Sequence, residues 1–485
     1  MNNNKVNAGR RNFLKGAAAL GGATLTTSTT LSHAAWEAAR EKTKDGKQLA
    51  IIGSGMGGVA ASWLCDSDWN IDLFESRHKI GGHCDSVSVE YEGEHFYFDL
   101  GAEFFHPDTH PLYVSLLEEV GLFNPDNEAM DQTLEAPGSL SIMAMDKDRY
   151  TFNSKNTHWN IFTSINFGLY TQYARNFILD DSDYEITLEE WIDSLALSRY
   201  FKYDLLLPWM SALIGCNVAQ AKKASARSIL QTFALAYPQN LCAGATTMNS
   251  NIGLGGNLQV ILDQCENVNV WTNAGVTGLQ KEQGQWYLET EAGTFGPYDQ
   301  IVVNAPPRFA KNWFSELPFT TEIASILDQF EYFRARLLIH SDPAYMVETD
   351  SPQYWCVYNA GIKDGECEGS VWLGGIHTDL PGDQSLFKSW ATDRDHDPQN
   401  ILAERTFFHP WITPQAIRAS REIRNWQGYE GIWFSGQFTT GMDLQEAALY
   451  SALKVAEQLN PYSPRITALR NRLSERGITD INYDL

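Results

Sequence analysis

The sequence predicts an α/β protein, a Rossmann-like dinucleotide-binding domain assembled from separated stretches and interleaved with an α+β domain. Three observations predict it. The apolar run Leu49-Ala50-Ile51-Ile52 leads into Gly53-Ser54-Gly55-Met56-Gly57-Gly58 and then Val59-Ala60-Ala61-Ser62-Trp63-Leu64, the order of a strand, a glycine turn and a helix. A second strand, Asn70 to Glu75, ends in a carboxylate 22 positions after Gly53 and is followed by Arg77 and Gly81-Gly82-His83. Near the other end, Gly431-Ile432-Trp433-Phe434-Ser435-Gly436 precedes a helix from about Leu444 to Leu459.

Each part of the first motif has a physical reason. Gly53 permits the tight turn, Gly55 lets the backbone approach a pyrophosphate, and Gly58 lets helix and strand pack closely. The helix N-terminus then faces the phosphates, with Met56 at its start. Glu75 lies where an adenosine ribose offers its hydroxyls, beside Ser76 and Arg77. A glycine-rich surface loop would leave the apolar strand and the placement of Glu75 unexplained. The expected cofactor is FAD.

Length and charge bound the rest. A chain of 485 residues is long for one core, so two intertwined domains are expected. The net charge of -24 argues against a nucleic-acid partner, because nothing here would neutralise phosphates over an extended footprint. The N-terminus reverses that charge with Lys5, Arg10, Arg11 and Lys15 before a run of small residues. Arg10-Arg11-Asn12-Phe13-Leu14-Lys15 looks like a twin-arginine export signal over residues 1–34, which implies the export machinery as a partner and the periplasm as destination. The seven cysteines show no CxxC and no metal-ligand spacing, so no metal is expected and most read as buried apolar residues.

Along the chain, residues 48–125 form the first part of the nucleotide domain, with a hairpin over Val87–Leu100 and a helix from Pro111 to Gly121. Residues 126–249 form a helical part of the substrate domain whose Trp, Tyr and Phe residues read as packing core; 126–160 are mixed. Residues 250–310 return to the nucleotide domain with strands at Val268–Trp271, Val276–Lys281, Trp286–Thr290 and Gln300–Val303. Residues 311–424 form a sheet of the substrate domain, including Arg336–His340. Residues 425–460 complete the nucleotide domain and 461–485 are a tail.

Together these segments resemble the flavin-containing amine oxidase superfamily, whose nucleotide domain is of the glutathione-reductase type. The carriers are the glycine turn, Glu75-x-Arg77 with Gly81-Gly82, Asp99-Leu100-Gly101-Ala102, Gly255-Gly256, Val302-Val303-Asn304-Ala305-Pro306 and Gly431-x-x-Phe434-x-Gly436. His83, His340-Ser341-Asp342, Trp355-x-x-Tyr358-Asn359 and His409-Pro410 look most like a bacterial group of predicted NAD/FAD-binding proteins whose genes often lie beside cyclopropane-fatty-acid synthases. The resemblance implies FAD and hints at acyl-chain chemistry.

It also implies roles. Gly53, Gly55 and Gly58 would meet the pyrophosphate, Glu75 the ribose, Arg77 the adenosine end, and Gly82 and His83 the phosphate and ribityl region. Val276 would reach the adenine side, Ala305 and Pro306 would border the FAD, and Gly101, Ala102 and Glu103 would run past the isoalloxazine. Gly436, Gln437 and Glu446 would sit at the ribityl chain and the start of the last helix. Three departures stand out. Gln437 replaces an acid, Leu444 replaces an aromatic cage residue, and Arg336 stands in the strand where amine oxidases place a lysine near flavin N5. Loss of the aromatic counts against an ammonium substrate.

Candidates for proton handling are Glu103, His106, His340 and His409, with Arg336 as a carboxylate anchor or flavin-side charge. A histidine beside a proline is more often a hydrogen-bonded turn residue, and Arg336 has an internal ion pair as its alternative. The expected function is an exported FAD-dependent oxidoreductase that desaturates, oxidises or isomerises a lipid-like substrate, reoxidised by dioxygen or a membrane acceptor. The alternatives are an amine or amino-acid oxidase releasing peroxide, and a flavin-binding protein without turnover.

Overall fold

Alternation along one strand organises the nucleotide domain. Leu49 and Ile51 of Lys47–Ile52 turn to a helical layer, whereas Ala50 and Ile52 turn to a small sheet on the opposite face. The computed structural model describes residues 46–485 except 124–132, 135–138, 148, 156–159, 181–182, 233, 237–246, 347–351, 378–379, 381–383, 480, 482 and 484. The expected export segment and Cys242 lie outside the described residues.

The central sheet is parallel, in the order Ile432–Phe434, Gln300–Val303, Lys47–Ile52, Trp69–Phe74 and Val268–Trp271. Such a sheet is covered on both faces, and its two central strands are accordingly apolar in the runs Leu49–Ile52 and Ile301–Val303. The helix Met56–Cys65 is buried along all its length, sandwiched between the sheet and the helix Gln445–Leu459. Each fully buried aliphatic side chain there contributes about 1.5–3 kcal/mol. A single added methyl would break the packing at Gly58, where a Cβ would stand 1.9 Å from the Gly53 carbonyl oxygen. The other face is capped by the antiparallel strands Val276–Glu282, Gln285–Thr290 and Gly293–Tyr298, which bury Trp286, Leu288 and Phe295 against Ala50 and Ile52.

The second layer system, read from the sequence as a substrate domain, is a seven-stranded sheet with a helical annex. Its order is Ile401–Trp411, Glu331–His340, Phe387–Trp390, Glu366–Trp372, Tyr358–Lys363, Leu140–Ala144 and Arg149–Asn153. The last two strands come from the stretch that the sequence reads as part of a helical region. Ser141, buried, donates to Asn359 Oδ1 at 2.6 Å and so locks that strand to its parallel neighbour. The annex comprises Ile161–Leu179, Leu188–Ser194, Leu207–Ile214, Val218–Lys223 and Ala226–Leu230. Tyr170 meets Trp191 and Trp209 edge-on, and Phe167 meets Phe201 likewise, so these aromatics pack helix against helix.

The tail carries a helix, Pro464–Glu475, whose Ile466, Leu469 and Leu473 enter the core beneath Pro111–Glu119. Of the six described cysteines, five are buried, and burial pushes the Cys216 and Cys367 thiols upward. Among the described residues no helix is long and apolar enough to cross a membrane, and no cluster of His, Cys, Asp and Glu could hold a metal.

Candidate active site

Two glycine turns nearly four hundred residues apart meet at the C-terminal edge of the parallel sheet. Gly53 has φ +102, and a Cβ on it would come within 3.0 Å of the Ala305 nitrogen. Gly436 has φ +122, and a Cβ on Gly57 would approach its nitrogen to 3.2 Å and Ser435 Oγ to 2.9 Å. Gly82, at φ +61, presses on Gly55, whose Cα would lie 3.0 Å from a Cβ there. Gly55 caps the helix Met56–Cys65 without any side-chain hydrogen bond, and no acid occupies its first turn, so its leading N–H groups point at this cradle. Met56 is buried in the core and offers only its backbone. Ser435 Oγ is fully buried and has no hydrogen-bond partner among the described residues. A glycine-lined cradle at a helix N-terminus fits a dinucleotide pyrophosphate.

Glu75, expected at the adenosine end, stands at the edge of the cradle. Its Oε2 accepts from Ser54 Oγ at 2.5 Å, and its Oε1 accepts from the Arg77 N–H at 2.8 Å and from Ser76 Oγ at 3.2 Å. Ribose hydroxyls would take the place of those serine hydroxyls on the same carboxylate. Val276 stands beside this end, because the adjacent Gly275 abuts Ser76 and the Ala274 N–H donates to the Glu75 carbonyl at 2.9 Å. Ala305 and Pro306 follow Asn304, whose Nδ2 donates to the Gly53 carbonyl at 3.0 Å.

Arg77 stands at the Glu75 end, its Nε 3.7 Å from Glu75 Oε1, and Glu446 sits in the first turn of the last helix. The Arg77 guanidinium donates to Asp85 at 2.6 Å and to the Gly82 carbonyl at 3.1 Å, so it fixes the glycine pair from beneath. Burial alone would push the Asp85 carboxyl up, but Lys79 and Arg77 hold it below its usual range. Glu446 accepts from the Leu112 and Tyr113 N–H groups at 2.9 and 2.6 Å and from Tyr483 Oη at 3.0 Å. It therefore caps the helix Pro111–Glu119. Burial pushes its carboxyl up to about 7. Gln437, half-buried after Gly436, remains at the cradle.

Beyond the cradle, Gly101 and Ala102 run alongside His83; the Ala102 N–H donates to the His83 carbonyl at 2.9 Å, and a Cβ on Gly101 would fall 1.9 Å from that oxygen. The next residue, Glu103, is 5% exposed and sits between Lys388 Nζ at 3.0 Å and His377 Nε2 at 3.5 Å. Lys388 is 2% exposed and also donates to the Gly101 carbonyl at 2.7 Å. Asn249 Nδ2 lies 3.0 Å from His377 Nδ1. Burial raises the Glu103 carboxyl, yet Lys388 and then His377 hold it below its usual range. Tyr358 stands over Phe104, its hydroxyl driven upward by burial and by Glu103. The wall is otherwise apolar, with Phe98, Leu100, Leu337, Ile339 and Val371.

The other candidates are dispersed. His409 stacks on His83 at 5.0 Å and on Phe333 at 5.7 Å, with Asp443 Oδ2 3.5 Å from its Nδ1. Burial and His409 push His83 down to about 4. His106 lies in the turn before Pro111–Glu119, its backbone N–H bonded to His110 Nδ1 at 3.2 Å. His340 shares a sheet face with Phe387 and Ser389, the face opposite Lys388, and contacts Ser389 Oγ at 2.9 Å. Arg336 points outward into a double ion pair with Asp397 and Glu404 at 2.5 and 2.8 Å. The buried cation comes instead from the neighbouring strand as Lys388, which the sequence reading passed over together with His377 and Asn249. The signal for Lys388 was present: a lone lysine in Phe387-Lys388-Ser389-Trp390, between an apolar residue and a small one.

Comparison with known proteins adds to this geometry. A family model described as flavin containing amine oxidoreductase matches residues 57–335. No curated protein matches. Among solved structures, a CLA-producing fatty acid isomerase from P. acnes is similar over 86% of this chain and 99% of its own, at 11% identity and a TM-score of 0.61. A cyclohexylamine oxidase from Brevibacterium oxydans IH-35A is similar over 85% and 98%, at 15% identity and 0.57. A triple mutant of putrescine oxidase, redesigned in its cofactor binding, is similar over 86% and 99%, at 12% identity and 0.59.

Proposed function

The chain belongs to the flavin-containing amine oxidoreductase family and is an FAD-dependent oxidoreductase, and from that premise we propose that its substrate is lipid-like, a fatty acyl chain that it desaturates, oxidises or isomerises. FAD, when bound, supplies an acceptor for a hydride or two electrons at N5. The residues of this chain do the rest. Gly55, Gly82 and the N-terminus of Met56–Cys65 would bind the phosphates, and Glu75 the ribose. Glu103, held below its usual range by Lys388 and His377, would act as a fixed negative charge beside Gly101 that keeps Lys388 in place. The apolar wall of Phe98, Leu337 and Ile339 excludes water from it.

The observation that carries the substrate class is Leu444, which stands before the last helix where amine oxidases place an aromatic cage residue. An ammonium substrate is guided between aromatic faces, whereas an uncharged acyl chain needs none. That a fatty acid isomerase shares the fold supports its capacity for acyl chains. Export through the twin-arginine route and reoxidation by dioxygen or a membrane acceptor complete the proposal, supported by Arg10-Arg11 and the charge reversal around them.

Anaerobic titration of the FAD-loaded chain with acyl and amine panels tests it. Bleaching of the flavin by fatty acyl compounds is expected. Peroxide release with amines or amino acids, and none with fatty acids, would overturn the substrate assignment in favour of an amine oxidase.

A further inference from the structure

Asn249 is a buried amide with one end left over. The residue is 4% exposed. Its Nδ2 lies 3.0 Å from His377 Nδ1, and the His377 ring is fixed in turn by Phe98, which it meets edge-on at 4.9 Å. Its Oδ1 is buried and has no hydrogen-bond partner among the described residues. Folded chains leave few such atoms, so an orphaned acceptor marks a place where a bound group completes the hydrogen bond.

The backbone around Asn249 belongs to the layers that form the cradle. Met248, just before it, exchanges both backbone hydrogen bonds with Phe105, at 2.8 and 2.9 Å, and its side chain enters the core of the helical layer. Just after it the chain enters the helix Gly253–Asp263, which packs on Met56–Cys65 and whose Leu254 N–H donates to Asp99 at 3.0 Å. Antiparallel pairing of Met248 with Phe105 sets Asn249 opposite Phe104. The last helix reaches that residue too, because Gln445 Nε2 donates to the Phe104 carbonyl at 3.1 Å. The free amide oxygen is therefore held beside Gly101–Phe104, beyond His83 and the glycine pair.

We infer that the Asn249 amide oxygen accepts the N3–H of the isoalloxazine when FAD is bound. A dinucleotide that starts at Glu75 and crosses the glycine cradle would bring its ring system to the far side of His83, along Gly101–Phe104. N3 is the one ring nitrogen of the oxidised flavin that carries a hydrogen, so it is the ring's donor for an acceptor that lacks one. Phe98 and Leu100 make this surround apolar, where an N–H and a carbonyl left apart are both costly and their pairing removes both costs. Asn249 is thus a positioning residue that fixes the rotation of the ring beside Glu103 and Lys388. The inference rests on FAD as the cofactor and is independent of the acyl substrate.

Reconstitution with FAD and with 3-methyl-FAD, in which a methyl group replaces that one hydrogen, tests the pairing. The full chain, stripped of cofactor, is titrated with each, and dissociation constants are read from the quenching of flavin fluorescence. The wild type is expected to hold FAD at least tenfold more tightly than 3-methyl-FAD, about 1.4 kcal/mol. Asn249→Leu, similar in shape but without the acceptor, is expected to prefer FAD by less than about threefold, and Asn249→Ala gives the same comparison if the leucine variant does not fold. A variant that is merely loosened weakens both flavins alike and keeps the wild-type preference, so the ratio isolates the one contact. Equal binding of the two flavins by the wild type, or an undiminished preference in the variants, overturns the inference; the donor to Asn249 is then a ribityl hydroxyl, a substrate hydroxyl or a water. A wild type that binds neither flavin overturns it together with the assignment of FAD. The acyl and amine panels bear on the substrate class alone, so the two readings fail separately.

Discussion

Removing the Lys388 ammonium leaves Glu103 as a buried carboxylate with only His377, 3.5 Å away, to balance it. At 3.0 Å and an effective dielectric of about 20, two unit charges attract by about 5.5 kcal/mol. Part of this is recovered when Glu103 takes up a proton, and breaking one partner of a buried pair typically costs about 3–5 kcal/mol. The hydrogen bond from Lys388 to the Gly101 carbonyl, 2.7 Å long, adds about 1 kcal/mol. Lys388→Met is therefore expected to destabilise the chain by about 3–5 kcal/mol. The double variant Lys388→Met, Glu103→Gln removes the stranded charge and is expected to regain at least half of that loss. Urea unfolding of the FAD-loaded proteins, followed by tryptophan fluorescence, measures both. A single variant within about 1 kcal/mol of the wild type, or a double variant no more stable than the single one, would refute the argument that these charges are buried and depend on each other.

Two further outcomes concern Glu446 and Arg336. Glu446 is fully buried, and its carboxyl stands at about 7 against an ordinary 4.5. The folded chain then holds a proton that the unfolded chain has released, so this residue lowers stability as pH rises from 4.5 through about 7. Glu446→Gln is expected to flatten that slope, by at most about 3.4 kcal/mol over the interval, in unfolding measured at a series of pH values; an unchanged slope counts against burial as its cause. Arg336→Ala removes an outward ion pair with Asp397 and Glu404, so flavin content and turnover should match the wild type and stability should change by about 1 kcal/mol or less. A loss of turnover with FAD still bound would restore Arg336 to the site.

Short-range rules made most of the nucleotide domain legible. Gly53, Gly58 and Gly436 are where the turn and the close approach require them, and the strand ending in Glu75 is fixed by its aliphatic run and by the position of its acid. The hairpin likewise follows from Glu92 and Gly93, which adopt φ +53 and +81 as the tight turn between its strands demands. The partners of several charged side chains were not legible, because they are remote in sequence. Lys388 meets Glu103 across 285 positions and Glu446 meets Leu112 across 334, so neither pairing has a local signature. Arg336 and Lys388 differ in a similar way. Both sit in strands beside apolar residues, and only the register decides which cation points inward. Residues 140–153 were illegible as sheet for the same reason, since one of their strands is held by a parallel neighbour more than two hundred residues away.

The central claim is that the turns at Gly53–Gly58 and Gly436 enclose one FAD with Glu75 on its ribose. The most direct measurement is the visible absorption spectrum of the purified chain, taken with its FAD-to-protein ratio and repeated on Glu75→Ala. The account predicts flavin bands at one FAD per chain, and a variant that loses FAD at least tenfold more readily, about 1.4 kcal/mol. A colourless chain that stays colourless after soaking with excess FAD, or a Glu75→Ala variant with full occupancy under dilution, would contradict it.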